Sequence, residues 1–110
     1  MITISVVTIT YNAAEVLQST LDSVMMQDFP HVEHLIVDGA SKDSTVKIAQ
    51  TYKIASDEAE NGHKIRISSE PDGGLYDAMN KGLQRATGDY IVFLNAGDCF
   101  PAADTLELVA

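Results

Sequence analysis

Apolar positions in this chain alternate between short β-branched runs and stretches where they recur three and four residues apart. Residues 4–9, Ile-Ser-Val-Val-Thr-Ile, are β-prone and read as a first strand. Val16, Leu17, Leu21, Val24 and Met25 recur at helical spacing, which predicts a helix over 13–27 that Phe29-Pro30 stops. Residues 32–37 form a second strand. Val46, Ala49 and Tyr52 give the next helix a modest apolar face, and the acidic, breaker-rich segment 56–62 reads as a solvated loop. Ile65 and Ile67 alternate with polar residues in a short third strand over 64–68. Glu70-Pro71-Asp72-Gly73-Gly74 is a turn by composition. Leu75, Met79, Leu83 and Ala86 mark the buried stripe of a third helix, with Gly88 as its C-terminal stop. Residues 90–94 are apolar without a breaker, the mark of a strand buried on both faces. A last helix starts after Pro101, with Asp104 as its cap and Leu106 and Val109 as its buried positions.

This β-α-β-α-β-α-β order implies an α/β fold with a parallel sheet and helices on its faces. In such sheets, ligands bind beyond the carboxyl ends of the strands. Ligand-capable patches fall there at residues 8–12, 38, 70–77 and 95–98. Asn12 also has the spacing of a capping box with Glu15. The two roles are compatible, because a helix N-terminus attracts phosphate. Asp43 is placed to cap the second helix, which leaves Asp38 a spare carboxylate at a strand's carboxyl end. Asp77 and Asn80 share one face of the third helix. Asn95, Gly97 and Asp98 form an oxygen-rich tip that could hold a hard divalent cation and, through it, a phosphate.

Composition narrows the class. A chain of 110 residues is one domain or part of one. No apolar run approaches the roughly 20 residues of a membrane helix, and the start lacks the positive charge of a signal peptide. Cys99 is the only cysteine, which excludes a disulfide framework or a zinc cluster and fits a reducing cytoplasm. The net charge is −9, from 16 acids against 7 bases, which argues against nucleic acid as partner. A phosphate bound to so acidic a chain needs a metal, helix N-termini or local cations. His31, His34 and His63 lack metal-ligand spacing and read as structural or surface residues. The first strand is not followed by Gly-x-Gly-x-x-Gly, and the chain has neither a phosphate-loop lysine motif nor a Gly-x-Ser-x-Gly elbow.

Four stretches in order and register resemble family 2 glycosyltransferases. They are Thr8 to Asn12, Val37 to Thr45, Asp72 to Gly82 and Tyr90 to Asp98, and together they span essentially the whole chain. The resemblance implies a GT-A fold, whose Rossmann-like half binds a nucleotide-diphosphate sugar for metal-dependent, usually inverting, transfer to an acceptor hydroxyl. It implies that Thr8, Tyr11, Asn12 and Asp38 line the nucleoside pocket. Asp72, Asp77 and Asn80 would contact base, ribose or diphosphate, and Asn95 and Asp98 would hold Mg²⁺ or Mn²⁺. Where the family often has Asp-x-Asp-Asp, this chain has Asn95-Ala96-Gly97-Asp98, with one carboxylate. Where the family often has Arg before the helix Asn, this chain has Met79.

The resemblance also implies that residues 1–110 are the truncated amino-terminal part of a larger domain, with the catalytic general base beyond Ala110. The expected partners are a nucleotide-diphosphate sugar and a glycan or lipid-linked acceptor in polysaccharide building. The expected location is the cytoplasm, or the inner membrane face through downstream segments. Leu106, Leu108 and Val109 are expected to expose an apolar patch that favours self-association. Two other readings stay open: a sugar nucleotidyltransferase and a non-catalytic nucleotide-sugar-binding module. The nucleotidyltransferase would need a Gly-rich, basic loop after the first strand, and Thr10-Tyr11-Asn12 is no such loop.

Overall fold

A computed structural model describes residues 2–109. Its elements are β1 (Ile4–Thr10), α1 (Ala14–Met25), β2 (Val32–Asp38), α2 (Thr45–Ala59), β3 (Lys64–Ser69), α3 (Leu75–Arg85), β4 (Tyr90–Phe93) and α4 (Thr105–Val109). The strands form one parallel sheet in the order β3-β2-β1-β4. Thr10 lies opposite Asp38, and Asp38 opposite Ser69, so the carboxyl ends of β1, β2 and β3 finish level.

The pleat sends alternate residues to opposite faces. Ile4 and Val6 pack with Val24 of α1 and Leu106 of α4 on one face. Leu17 and Leu21 of α1 meet Ile36, Ala49 and Tyr52 on the same side. Val7, Leu35 and Val37 face the other way, onto Ala78 of α3. Every residue of β2 is buried, which explains why its sequence reads as a continuous run.

Several expectations are corrected. The segment 56–62 is not all loop: α2 runs on to Ala59, and Ser56 is buried. On α3 the buried residues are Ala78 and Gly82, while Leu75 and Leu83 are exposed. Close approach to the sheet decides this, because a Cβ on Gly82 would lie 2.5 Å from a Val7 methyl. Gly88 does not terminate α3 by a left-handed turn; it lets the chain pass against β1, where a Cβ would meet Ser5 Oγ at 2.6 Å. β4 is not buried on both faces, since Tyr90, Ile91 and Phe93 are exposed on an edge strand. Leu106 is buried as expected, whereas Val109 is exposed.

Candidate functional site

The carboxyl ends of β1 and β2 and the start of α3 enclose a cleft of about 480 Å³. Ile9, Leu75 and Ala78 supply apolar wall, and Tyr11 and Gly39 border it on the strand side. Pro71, Asp72 and Gly74 close it from the β3–α3 loop. Of the expected binding residues, the structure brings Tyr11 and Asp72 to this cleft. Tyr11 is 63% exposed, so its ring is available to a ligand.

Asp38 is not a spare carboxylate. It is 1% exposed. One oxygen accepts from Thr10 Oγ1 at 2.6 Å and from Ser41 Oγ, and the other accepts from Ser41 N–H and Ser69 Oγ, both at 2.8 Å. Those donors come from β1, β3 and the loop after β2, so one side chain ties together the strand ends that border the cleft. Burial pushes this carboxyl up, and the bonds from Ser41, Thr10 and Ser69 outweigh burial to hold it below its ordinary value.

Thr8 is likewise a core residue and does not line the cleft. Its hydroxyl lies 2.7 Å from Nε2 of His34, whose Nδ1 lies 2.7 Å from the Tyr52 hydroxyl. Burial, with a smaller contribution from His63, pushes His34 down to about 3, so it is neutral. The structural reading of His34 therefore holds.

Asn12 does not cap α1 either, since Ala13 occupies the N-cap position without a side-chain bond. Asn12 sits at φ 47° and accepts the Lys42 N–H at 2.8 Å, while its own N–H donates to Ser41 Oγ. The α1 amides are capped from the next crossover. Asp43 accepts from Ala14 N–H at 3.2 Å, and Thr45 Oγ1 accepts from Ala13 N–H at 2.9 Å. Asp43 also accepts the Thr45 N–H at the start of α2, but the N-cap position is Ser44, whose side chain makes no capping bond, so Asp43 is not the cap it was expected to be. Two helix N-termini therefore share one clasp.

Asp77 accepts the Gly73 N–H at 2.8 Å, which holds the loop before α3 and lowers its carboxyl below the ordinary value. Asn80 is exposed on α3 and does not border the cleft. Asn95 and Asp98 are exposed at the ends of one turn beyond β4, closed by a 2.9 Å bond from Asp98 N–H to the Asn95 carbonyl. Gly97 takes φ 98° there, and its N–H donates to Thr20 Oγ1. Neither residue borders the cleft. No group of three or more His, Cys, Asp or Glu side chains suited to a metal occurs among the described residues. None of the described helices is long and apolar enough to cross a membrane.

Ser41, Ser69 and Gly39 were not singled out from the sequence. Ser41 and Ser69 both donate to Asp38, and Ser41 also accepts the Asn12 N–H, partnerships that depend on the register of three strands. Gly39 directly after a strand-ending acid was the one local signal.

The description "Glycosyl transferase family 2" matches residues 5–110 of this chain. A PGL/p-HBAD biosynthesis glycosyltransferase of Mycobacterium bovis is 41% identical over 107 residues, covering 96% of this chain and 40% of the relative. A putative teichuronic acid biosynthesis glycosyltransferase, TuaG of Bacillus subtilis, is 39% identical, covering 86% of this chain and 36% of its own length. Among solved structures, the mannosyltransferase PcManGT of Pyrobaculum calidifontis, in complex with GDP-Man and Mn²⁺, superposes with TM-score 0.81 at 31% identity over 94% of this chain and 30% of that one. S. aureus TarS 1-349 in complex with UDP-GlcNAc gives TM-score 0.81 at 28% identity over 97% of this chain and 30% of that one. The chain thus spans about 40% or less of the length of these relatives. The sheet and its flanking helices have the GT-A architecture of these neighbours, and the chain belongs to glycosyl transferase family 2.

Proposed function

We propose that this chain is the nucleotide-sugar-binding part of a glycosyltransferase. The full reaction moves a sugar from a nucleotide diphosphate to an acceptor hydroxyl with inversion, in polysaccharide or glycan biosynthesis. The observation that carries this reading is the cleft at the carboxyl edge of the sheet, bordered by Tyr11, Gly39 and Asp72, in a family 2 chain. Relatives named for PGL/p-HBAD and teichuronic acid biosynthesis support it, as do neighbours solved with GDP-Man and UDP-GlcNAc.

Within this reading, Tyr11 and Asp72 contact the nucleoside directly, and Thr8, Asn12 and Asp38 position the walls. Asp77 fixes the loop through Gly73, and Asn80 offers an amide on the exposed side of α3. Asn95 and Asp98 are two oxygen donors at one turn, a set that fits Mg²⁺ or Mn²⁺ completed by diphosphate and water. When bound, such a cation neutralises charge developing on the leaving diphosphate.

The acceptor hydroxyl needs a base on the side of the anomeric carbon opposite the diphosphate. No residue of 1–110 is assigned that role. The acceptor is a glycan or a lipid-linked sugar, met in the cytoplasm or at the inner membrane face.

A radiolabelled nucleotide-sugar assay on the full-length protein tests this function. Label transferred to an acceptor supports it. Pyrophosphate-dependent exchange would instead indicate a nucleotidyltransferase, and binding without either reaction a non-catalytic module.

A further inference from the structure

We propose that Lys81 is a positioning residue for nucleotide binding. From outside the cleft it fixes the β3–α3 loop, residues 70–74, in the shape that a nucleoside diphosphate needs. This rests on the nucleotide-binding reading above, and it adds a residue that touches no ligand.

The loop has little of its own to hold it. Gly73 and Gly74 are adjacent, and Gly74 takes φ 109°, so ordering this stretch costs much conformational freedom. Pro71, Asp72 and Gly74 nevertheless form one wall of the cleft. Inside the loop, Asp72 Oδ1 accepts the Gly74 N–H at 3.1 Å. The remaining side-chain restraints come from α3. Asp77, Lys81 and Arg85 are spaced by four and share one face of that helix. Asp77 Oδ2 accepts the Gly73 N–H at 2.8 Å. Lys81 Nζ donates to the Pro71 carbonyl at 3.2 Å, and lies 3.4 Å from Glu70 Oε1 and 3.5 Å from Asp77 Oδ2. Arg85 donates to the same Glu70 oxygen at 2.9 Å and to Ser68 Oγ at 2.6 Å.

Lys81 is the centre of this set. An ammonium carries three N–H donors, and this one faces an oxygen on each of Glu70, Pro71 and Asp77. The Asp77 oxygen it faces is the one that accepts from Gly73. One cation therefore ties the start of the loop to the bond that holds its glycines. Lys81 does not border the cleft, and its side chain is only 19% exposed, so it is not presented to a ligand as a phosphate-binding cation. Its influence on a nucleotide runs through the loop. A wall that is already ordered costs a ligand less to bind than one the ligand must order itself.

The test is calorimetry on the full-length protein with Mg²⁺ and UDP or GDP, paired with hydrogen exchange at the Gly73 amide. Lys81→Met keeps most of the side chain's stem and removes the charge. It is expected to weaken whichever nucleotide binds the wild type by about tenfold, the scale of making the ligand order one loop residue. Gly73 exchange should quicken, while the urea midpoint stays close to that of the wild type, because exposed ion pairs add little to global stability. Lys81→Arg should restore most of the affinity. Glu70→Gln, at an exposed position, should move affinity and exchange in the same direction and less strongly, and it gives the same readout should Lys81→Met fold poorly. Wild-type affinity in both Lys81→Met and Glu70→Gln would overturn the proposal, whether or not Gly73 exchange quickens. Lost affinity with unchanged exchange would also overturn it and make Lys81 a direct ligand contact. In either case nucleotide binding stands. If neither UDP nor GDP binds the wild type, the underlying reading fails and takes this inference with it.

Discussion

Replacing Asp38 by Ala should unfold much of what it holds rather than remove a ligand contact. The carboxylate accepts from Thr10, Ser69 and twice from Ser41. Ser69 is exposed and Ser41 half-buried, so water can replace the acceptor for them. Thr10 is 2% exposed and would be left with an unpaired hydroxyl. Orphaning a buried donor costs about 1–3 kcal/mol, and losing hydrogen bonds to a charged group adds to that. The expected total is about 3–5 kcal/mol, against a stability of about 5–15 kcal/mol for a domain. In urea this moves the midpoint by about 2 M or more with an unchanged slope. The pH dependence gives a second check. The Asp38 carboxyl is held below its ordinary value, so its stabilisation is complete above that value and is lost as pH falls through the folded one. The variant should lack that part of the acid loss. A variant with the wild-type urea midpoint and impaired nucleotide binding would refute the structural role and return Asp38 to the base pocket.

Gly82→Ala forces a methyl to within 2.5 Å of Val7 and should cost about 1–3 kcal/mol, read as a lower calorimetric melting temperature; an unchanged one would show that α3 moves freely on the sheet. His34 is neutral when folded, at about 3, and takes a proton near its ordinary value of 6.5 when unfolded. Stability should therefore be complete above about 6.5 and fall by roughly 1.4 kcal/mol per pH unit below it, a slope that His34→Gln flattens in urea titrations. Asp98→Asn should remove the Mg²⁺- or Mn²⁺-dependent part of nucleotide affinity, and calorimetry in chelator that finds full-strength binding would count against a metal site at the turn. The 110-residue chain by itself should bind nucleotide weakly, transfer no sugar and self-associate through exposed Ile91, Phe93, Leu108 and Val109; a monodisperse, active monomer in light scattering and transfer assays would contradict this.

The strands were legible because β1 and β2 carry β-branched runs that sheet burial demands. The end of α2 was not, since Ser56, Asp57 and Glu58 resemble a loop locally and are held helical by packing of the buried Ser56 side. The α3 stripe misleads because its large apolar residues look like the core, whereas the sheet approaches so closely that small residues, Ala78 and Gly82, are the buried ones. At the site, Tyr11 and Asp72 could be found at strand and loop ends. The inward turn of Thr8 and Asp38 could not, because strand pleat and register settle which side chain faces the cleft.

The strand order bears on how the chain folds as it is made. β1 precedes the other described strands along the chain yet lies inside the sheet, with β2 on one side and β4 on the other. Its first neighbour follows within one crossover, but the second arrives only when residues 90–93 emerge. A domain generally folds as a unit, so this sheet is not complete until β4 has emerged. Through most of that time, an apolar strand with an unpaired flank stands beside the ribosome. Such a flank can template pairing with another chain. A slow stretch of translation before Tyr90 would lengthen that exposure, and a fast one would shorten it.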